Sequence, residues 1–192
     1  MLYWRSLINN VANRKDKQYF MIIQVDSREK DNKYILDYFD SIGQKYKTGE
    51  KLMCGDYSDI VNHSICIDKK SSGSGLLEIA QNVCQDHKRF VAEIERAKEC
   101  GIELIFLIQE EDVTCLDDVM TWQNPRFLKW VKIRNCQKVG KMKNYKISKI
   151  PPITGERLYK ILSTIKEKYG CEYVFAKKQD MGKRIVELLS VK

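Results

Sequence analysis

The chain predicts an α/β domain with a central mixed sheet flanked by helices. Three observations carry that expectation: strand-length apolar runs, helical spacings between them, and the order strand, helix, hairpin, helix, strand over residues 19–109. YFMIIQVD (19–26) reads as a buried strand ending in an acid. REKDNKYILDYFDSIG follows as a helix, with Ile35, Leu36 and Phe39 on one face and Gly43 as its stop. CGDYSDIVNHSICIDKKS (54–71) reads as two short strands round a turn, and SSGSG (71–75) as a short flexible joint. Residues 76–84 and 86–100 make helical patterns, the second with Phe90, Ile94 and Ala97 at i, i+4 and i+7. IELIFLIQ (102–109) is a core strand.

Past Pro125 the pattern loses its period until Pro151-Pro152. Thr154 then caps a helix carrying Leu158, Ile161, Leu162 and Ile165, with Gly170 as its stop. CEYVFAKK makes a last strand, and DMGKRIVELLS a last helix capped by Asp180. The expected organisation is an N-terminal extension over 1–18 and one domain over 19–192, with a basic arm or insertion at about 121–150.

With 192 residues, 43% of them apolar, the chain can bury one sizeable core. No apolar run reaches the length of a membrane span, and the first residues lack the apolar core of a signal peptide. The seven cysteines are scattered, odd in number and without a C-x-x-C pair. That argues against a disulfide framework or zinc ribbon and for reduced thiols packed as small apolar groups. The expected setting is intracellular: cytoplasm, or host cytoplasm for a viral protein.

Charge is unevenly placed. Residues 1–120 carry a net −5 and residues 121–192 a net +13. Arg126, Lys129, Lys132, Arg134, Lys138, Lys141, Lys143, Lys146 and Lys149 occur in a stretch without one acid, with Phe127, Trp130 and Tyr145 among them. Such a run can be a solvated face; uncompensated cations interleaved with aromatics favour a polyanion partner over a membrane surface. Trp122 and Trp130 can be core anchors or stacking platforms for bases. His63 falls in a turn and His87 on a helix surface.

Two predicted core strands carry acids at or near their ends, Asp26 and Asp68, and Asp56 enters the hairpin from its other side. Lys70 follows Asp68 at i+2, so in an extended strand both point to one face. Carboxylates and a lysine converging at a sheet edge are what metal-assisted phosphodiester hydrolysis requires. The carboxylates hold Mg²⁺ or Mn²⁺ through hard oxygens, the ion acidifies a water, and the lysine orients it or stabilises developing charge. The alternative is that these acids serve turns and caps and the lysines are solvated. The spacing D-x11-D-x-K suits the PD-(D/E)XK nuclease pattern.

VDSREK (25–30), GDYSDI (55–60), IDKKS (67–71) and the downstream DHKRFVAEIERA resemble the XPF-type nuclease domain, whose strings are V-D-x-R-E, G-D-Y/F and E-R-K-S. The resemblance runs from about 20 to 109 and more loosely reaches FAKKQDMGKRIVELL, like the end of short standalone bacterial or phage members. It implies a restriction-endonuclease-like PD-(D/E)XK fold and a metal-dependent DNA endonuclease of repair, recombination or phage DNA metabolism, with a homodimer or partner subunit possible. Carried over, Asp26, Asp56 and Asp68 become metal ligands, and Lys70 assists the nucleophile. Arg28 and Lys69 become phosphate contacts and Glu29 a supporting acid, although an acid at a helix start also has a purely structural reading.

Asp68, Lys69 and Lys70 stand where the family has Glu, Arg and Lys. Aspartate still binds a hard metal, but lysine lacks the planar fork of arginine. Ser74 takes a position where the family often has an aspartate, which leaves Glu78 as a substitute acid. These departures keep open a rival reading, a catalytically degenerate nuclease fold retained as a DNA-binding module. A third is an interaction factor whose basic region meets an acidic protein.

Overall fold

Six strands form one sheet in a computed structural model that describes residues 21–138, 140 and 146–190. They are β1 (Ile23–Asp26), β2 (Tyr46–Glu50), β3 (Tyr57–Asp59), β4 (Ile65–Lys70), β5 (Glu103–Gln109) and β6 (Glu172–Ala176), in the order β2-β1-β3-β4-β5-β6. β3 runs antiparallel to both neighbours; the other pairs are parallel. The helices are α1 (Lys33–Ser41), α2 (Gly75–Gln85), α3 (His87–Glu99), α4 (Pro125–Lys138), α5 (Gly155–Tyr169) and α6 (Met181–Leu189). The expected mixed sheet flanked by helices is therefore the observed architecture.

Alternation along β5 divides the core. Leu104, Phe106 and Ile108 pack with residues of α2, α3 and α5, whereas Ile105 and Leu107 pack with residues of α1 and α6. A strand covered on both faces reads as a continuous apolar run, which is why IELIFLIQ was legible. β4 is in register with it, Asp68 opposite Phe106, Lys69 opposite Leu107 and Lys70 opposite Ile108. Asp68 and Lys70 thus take the α2–α3 face, and Lys69 the α1–α6 face.

Four expectations need correction. α1 begins at Lys33 rather than near Arg28, because residues 27–32 form a turn in which the Glu29 amide donates to the Asp26 carbonyl at 3.1 Å. β2 was missed: YKTGE has no apolar alternation and only Tyr46 is even partly buried at this sheet edge. Asp180 makes no side-chain cap; a 3-10 turn over Lys178–Asp180 leads into α6 instead. SSGSG is not a loose joint. The Ser74 hydroxyl caps α2 by accepting from Leu77 N–H at 3.4 Å, and Glu110 accepts from Leu76 N–H at 2.9 Å and from the Ser74 hydroxyl. Glu78 accepts the amides of Ser71 and Ser72 at 3.0 and 2.8 Å. A Cβ on Gly75 would sit 2.4 Å from the Lys70 carbonyl oxygen, so only glycine lets α2 start this close to the end of β4.

The basic stretch folds in part. After a 3-10 turn over Asp117–Thr121, α4 runs through Pro125–Lys138 with Ile133 as its one buried residue, which explains the missing period. The extension over 1–18, and Lys141, Lys143 and Tyr145, lie outside the described residues. All seven cysteines are free, and Cys84, Cys100 and Cys115 are exposed rather than packed. Among the described residues, no helix is long and apolar enough to cross a membrane.

Candidate active site

The strand directions bring the C-terminal ends of β1 and β4 and the N-terminal end of β3 to one edge of the sheet. Asp26 closes β1, and its amide donates to the Asp56 carbonyl at 2.8 Å; the Asp56 amide donates to Ile67 at 2.7 Å. Gly55 makes that approach possible. It sits at φ 65°, and a Cβ there would lie 2.8 Å from the Ile67 carbonyl oxygen. The result is an open cleft of about 750 Å³ into which Arg28, Asp56, Asp68, Lys70, Arg89 and Glu93 face.

The three aspartates differ in what holds them. Asp68 is buried and takes the Lys70 ammonium on both oxygens, at 2.6 and 2.7 Å. Burial works against the lysine's charge, but the Asp68 carboxylate outweighs it and holds Lys70 above the ordinary lysine value. Asp56 has one protein donor, the Lys69 amide at 2.8 Å on Oδ2. Burial and the nearby charge of Asp68 push its carboxyl well above the usual carboxylate range.

Asp26 is turned into structure. Its Oδ1 accepts from Arg28 Nε at 2.8 Å and from the Arg28 amide at 2.7 Å; its Oδ2 accepts from Arg28 Nη2 at 2.8 Å and from the Leu52 amide at 2.7 Å. Burial raises its pKa, yet these donors more than offset that and leave it below its usual value. With four donors on two oxygens and no place in the cleft lining, Asp26 is better described as the clamp that aims Arg28 than as a metal ligand. Arg28 keeps its side chain 59% exposed at the cleft, where its remaining donors can meet a phosphate.

Lys69 does not fit the phosphate-contact expectation. Its side chain is 2% exposed on the other sheet face, where Nζ lies 3.1 Å from Glu29 Oε1, donates to the Asp31 carbonyl and sits 5.7 Å from the Tyr34 ring centroid. Glu29 is accordingly the partner of Lys69 rather than a group of the cleft. Replacing Lys69 by Met should lower stability by about 2–4 kcal/mol, since Glu29 loses a buried partner, while DNA affinity changes less than about twofold. Chemical denaturation beside a binding titration checks both; a tenfold loss of affinity in a folded variant would restore the phosphate role.

Among the described residues of the basic stretch, none lines this cleft. Lys129, Lys132 and Lys138 are exposed on α4, and Arg126 lines a separate cavity of about 650 Å³ between α2 and α5. Trp130 is no free platform: its indole N–H donates to Ser148 O at 2.8 Å, Phe127 stacks on it at 6.2 Å, and the Arg134 guanidinium lies 5.6 Å from its ring.

Arg89, Glu93 and Arg96, which the sequence places only on a helix face, also line the cleft. They lie at i, i+4 and i+7 of α3, beside the apolar positions Phe90, Ile94 and Ala97, and that spacing was a signal available in the sequence. Glu93 accepts from Gly55 N–H at 3.4 Å and Arg96 donates to Met53 O at 3.2 Å, so α3 grips the Lys51–Gly55 turn. Lys51 and Met53 also border the cleft.

Among the described residues, no three His, Cys, Asp or Glu side chains are placed to hold a metal together. The pair Asp56 and Asp68 nevertheless suits Mg²⁺, which is commonly held by one or two carboxylates, substrate phosphate oxygens and waters. Burial, and after it the charge of Asp68, raises the Asp56 carboxyl, and a divalent cation there would favour the ionised form. Lys70 is the competitor such an ion would meet at Asp68.

Neither a protein-family model nor a curated protein matches the chain. Among solved structures it is similar to XPF from Aeropyrum pernix in complex with DNA, with a TM-score of 0.53 at 16% identity over 88% of this chain. The chain spans 63% of that neighbour's length. At this identity the likeness speaks for the fold, a restriction-endonuclease-like α/β sheet.

Proposed function

We propose that this chain is a metal-dependent DNA endonuclease, with Mg²⁺ or Mn²⁺ held between Asp56 and Asp68. The observation that carries it is the meeting of Asp56, Asp68 and Lys70, from adjacent strands, on one sheet face inside an open cleft rimmed by Arg28, Arg89 and Arg96. The ion would polarise a phosphodiester and acidify a bound water. Arg28, fixed by Asp26, and the two arginines of α3 would bind phosphate oxygens at the cleft. Were an ion to bind at Asp68, Lys70 would be freed from that carboxylate to orient the attacking water or meet the charge that develops on phosphate. A fold like that of an XPF–DNA complex supports DNA as the substrate. Repair, recombination or phage DNA metabolism would be fitting settings.

One observation favours a second reading, a DNA-binding module without catalysis: Lys70 already neutralises Asp68 on both oxygens. Labelled duplex, single-stranded, flap and four-way DNA incubated with Mg²⁺ or Mn²⁺, with and without EDTA, separates the two. The nuclease reading expects cleavage that EDTA abolishes. Binding to these DNAs with no cleavage under either metal would sink it in favour of the module.

A further inference from the structure

Two of the seven cysteines meet behind the cleft. Cys66 lies two residues before Asp68 on β4, and Cys54 two residues before Asp56 on the turn that walls the cleft. Both are buried in one core cluster, at 3% and 1% exposure, and their thiols are within hydrogen-bond reach of each other. Continued in the register of the hairpin, Cys54 would oppose Lys70; the bend at Gly55, with φ 65°, brings it back to Cys66 instead. Cys66 also borders a cavity of about 600 Å³ on the far side of the Lys51–Met53 turn, with His63, Ile102 and the exposed Cys100 on other walls. Cys54 does not line that cavity, so a small molecule inside it meets Cys66 first. The turn itself is tied down by hydrogen bonds, the Leu52 amide on Asp26 at 2.7 Å and the Met53 carbonyl under Arg96 at 3.2 Å.

We propose that Cys66 and Cys54 form a redox dithiol, which a low-molecular-weight disulfide entering this cavity converts to an intrachain disulfide. Buried cysteines are inert where nothing can reach them, and the cavity is what gives Cys66 access. Cys66 Sγ attacks one sulfur of the small disulfide, and one half leaves as a thiol carrying the Cys66 proton. Cys54 Sγ then attacks Cys66 Sγ, the mixed disulfide breaks, and the second half leaves with the Cys54 proton. Two cysteine thiols are oxidised by two electrons, and the small disulfide is reduced to two thiols. The product adds a covalent tie between the cleft wall and β4, two residues from Asp56 on one side and two from Asp68 on the other. It fixes the spacing of the two carboxylates, and this holds whether or not the cleft cuts DNA.

The test uses the full chain, folded and metal-free, with cystamine as the small disulfide. Remaining thiols are then blocked and the peptides mapped by mass spectrometry without reduction. Wild type should give a linked Cys54–Cys66 peptide pair, and its Tm should rise by about 5–10 °C, a gain that dithiothreitol removes. Cys54→Ala should instead hold Cys66 as a mixed disulfide with half of the probe and show no rise in Tm. Cys100→Ser, at the exposed thiol beside the cavity, should leave the Cys54–Cys66 link unchanged. The proposal is overturned if Cys54 and Cys66 stay free in wild type while the exposed Cys84, Cys100 and Cys115 take up the probe. Cys66 linked to Cys100 in place of Cys54 overturns it equally. The wild-type map decides even if Cys54→Ala does not fold. None of these readouts involves DNA, so failure of the dithiol and failure of the nuclease reading are separate results.

Discussion

Asp68→Ala should lose about 3–5 kcal/mol of stability, quite apart from any effect on cleavage. The variant leaves the Lys70 ammonium, with its side chain 10% exposed, facing a cleft wall without the carboxylate that now takes it on both oxygens. Removing one member of a buried ion pair costs far more than the pair itself contributes, because the remaining charge is left desolvated. In a domain of this size that corresponds to a fall of about 10 °C in Tm. Asp68→Ala/Lys70→Met should recover most of the loss, since no charge is stranded, and should still cut nothing. Thermal melts of the two single variants and the double variant measure the coupling directly. Additive losses would mean the pair contributes no such coupling.

Asp56→Asn should do the opposite to stability while also sharply reducing cleavage. The folded state holds the Asp56 carboxyl above its ordinary value, through burial and the charge of Asp68, so it binds a proton more readily folded than unfolded. The sign follows: stability is highest where both states are protonated, below about pH 4, and is lost as pH rises toward the raised folded value, with the full cost above it. Asparagine cannot ionise and escapes that cost. In metal-free buffer at pH 7 its Tm should exceed that of wild type by about 2–4 °C, as about 1 kcal/mol delivers, and the gain should vanish toward pH 4. Cleavage should fall on the order of a thousandfold with the loss of a metal-holding carboxylate. A variant that melts below wild type at pH 7 would mean that Asp56 is a stabilising cap rather than a strained functional group.

The fold was legible where burial imposes a period. IELIFLIQ, the α3 face of Phe90, Ile94 and Ala97, and the Thr154–Gly170 helix are spelled out because the strand is buried on both faces and each helix buries one face in the core. β2 and α4 were not, because an edge strand and a helix with one buried residue leave no apolar rhythm. At the cleft, Asp56, Asp68 and Lys70 were placed together by the hairpin and by alternation alone. The same alternation already puts Lys69 on the opposite face, against the phosphate contact that its motif position implies. Asp26 stands apart for a different reason. Its residue type and place at a strand end said carboxylate at the site, but only the tertiary structure shows Arg28 and Leu52 occupying its oxygens. Glu78 was similarly drawn away, to the amides of Ser71 and Ser72.

The three consecutive charges of β4 carry a consequence for how this chain can vary in length. Asp68 and Lys70 face the cleft and Lys69 faces Glu29 only because the strand is in one register with β5. Adding or deleting a single residue between Ile65 and Asp68 would exchange the faces of all three. It would send the Asp68 carboxylate among the apolar side chains of α1 and α6 and turn Ile67 toward the cleft. The segment is therefore intolerant of any change in residue count, whatever the substituted side chains. The turn at Val61–Ser64, exposed and outside both strands, is where a lengthened hairpin could be absorbed without a change of register.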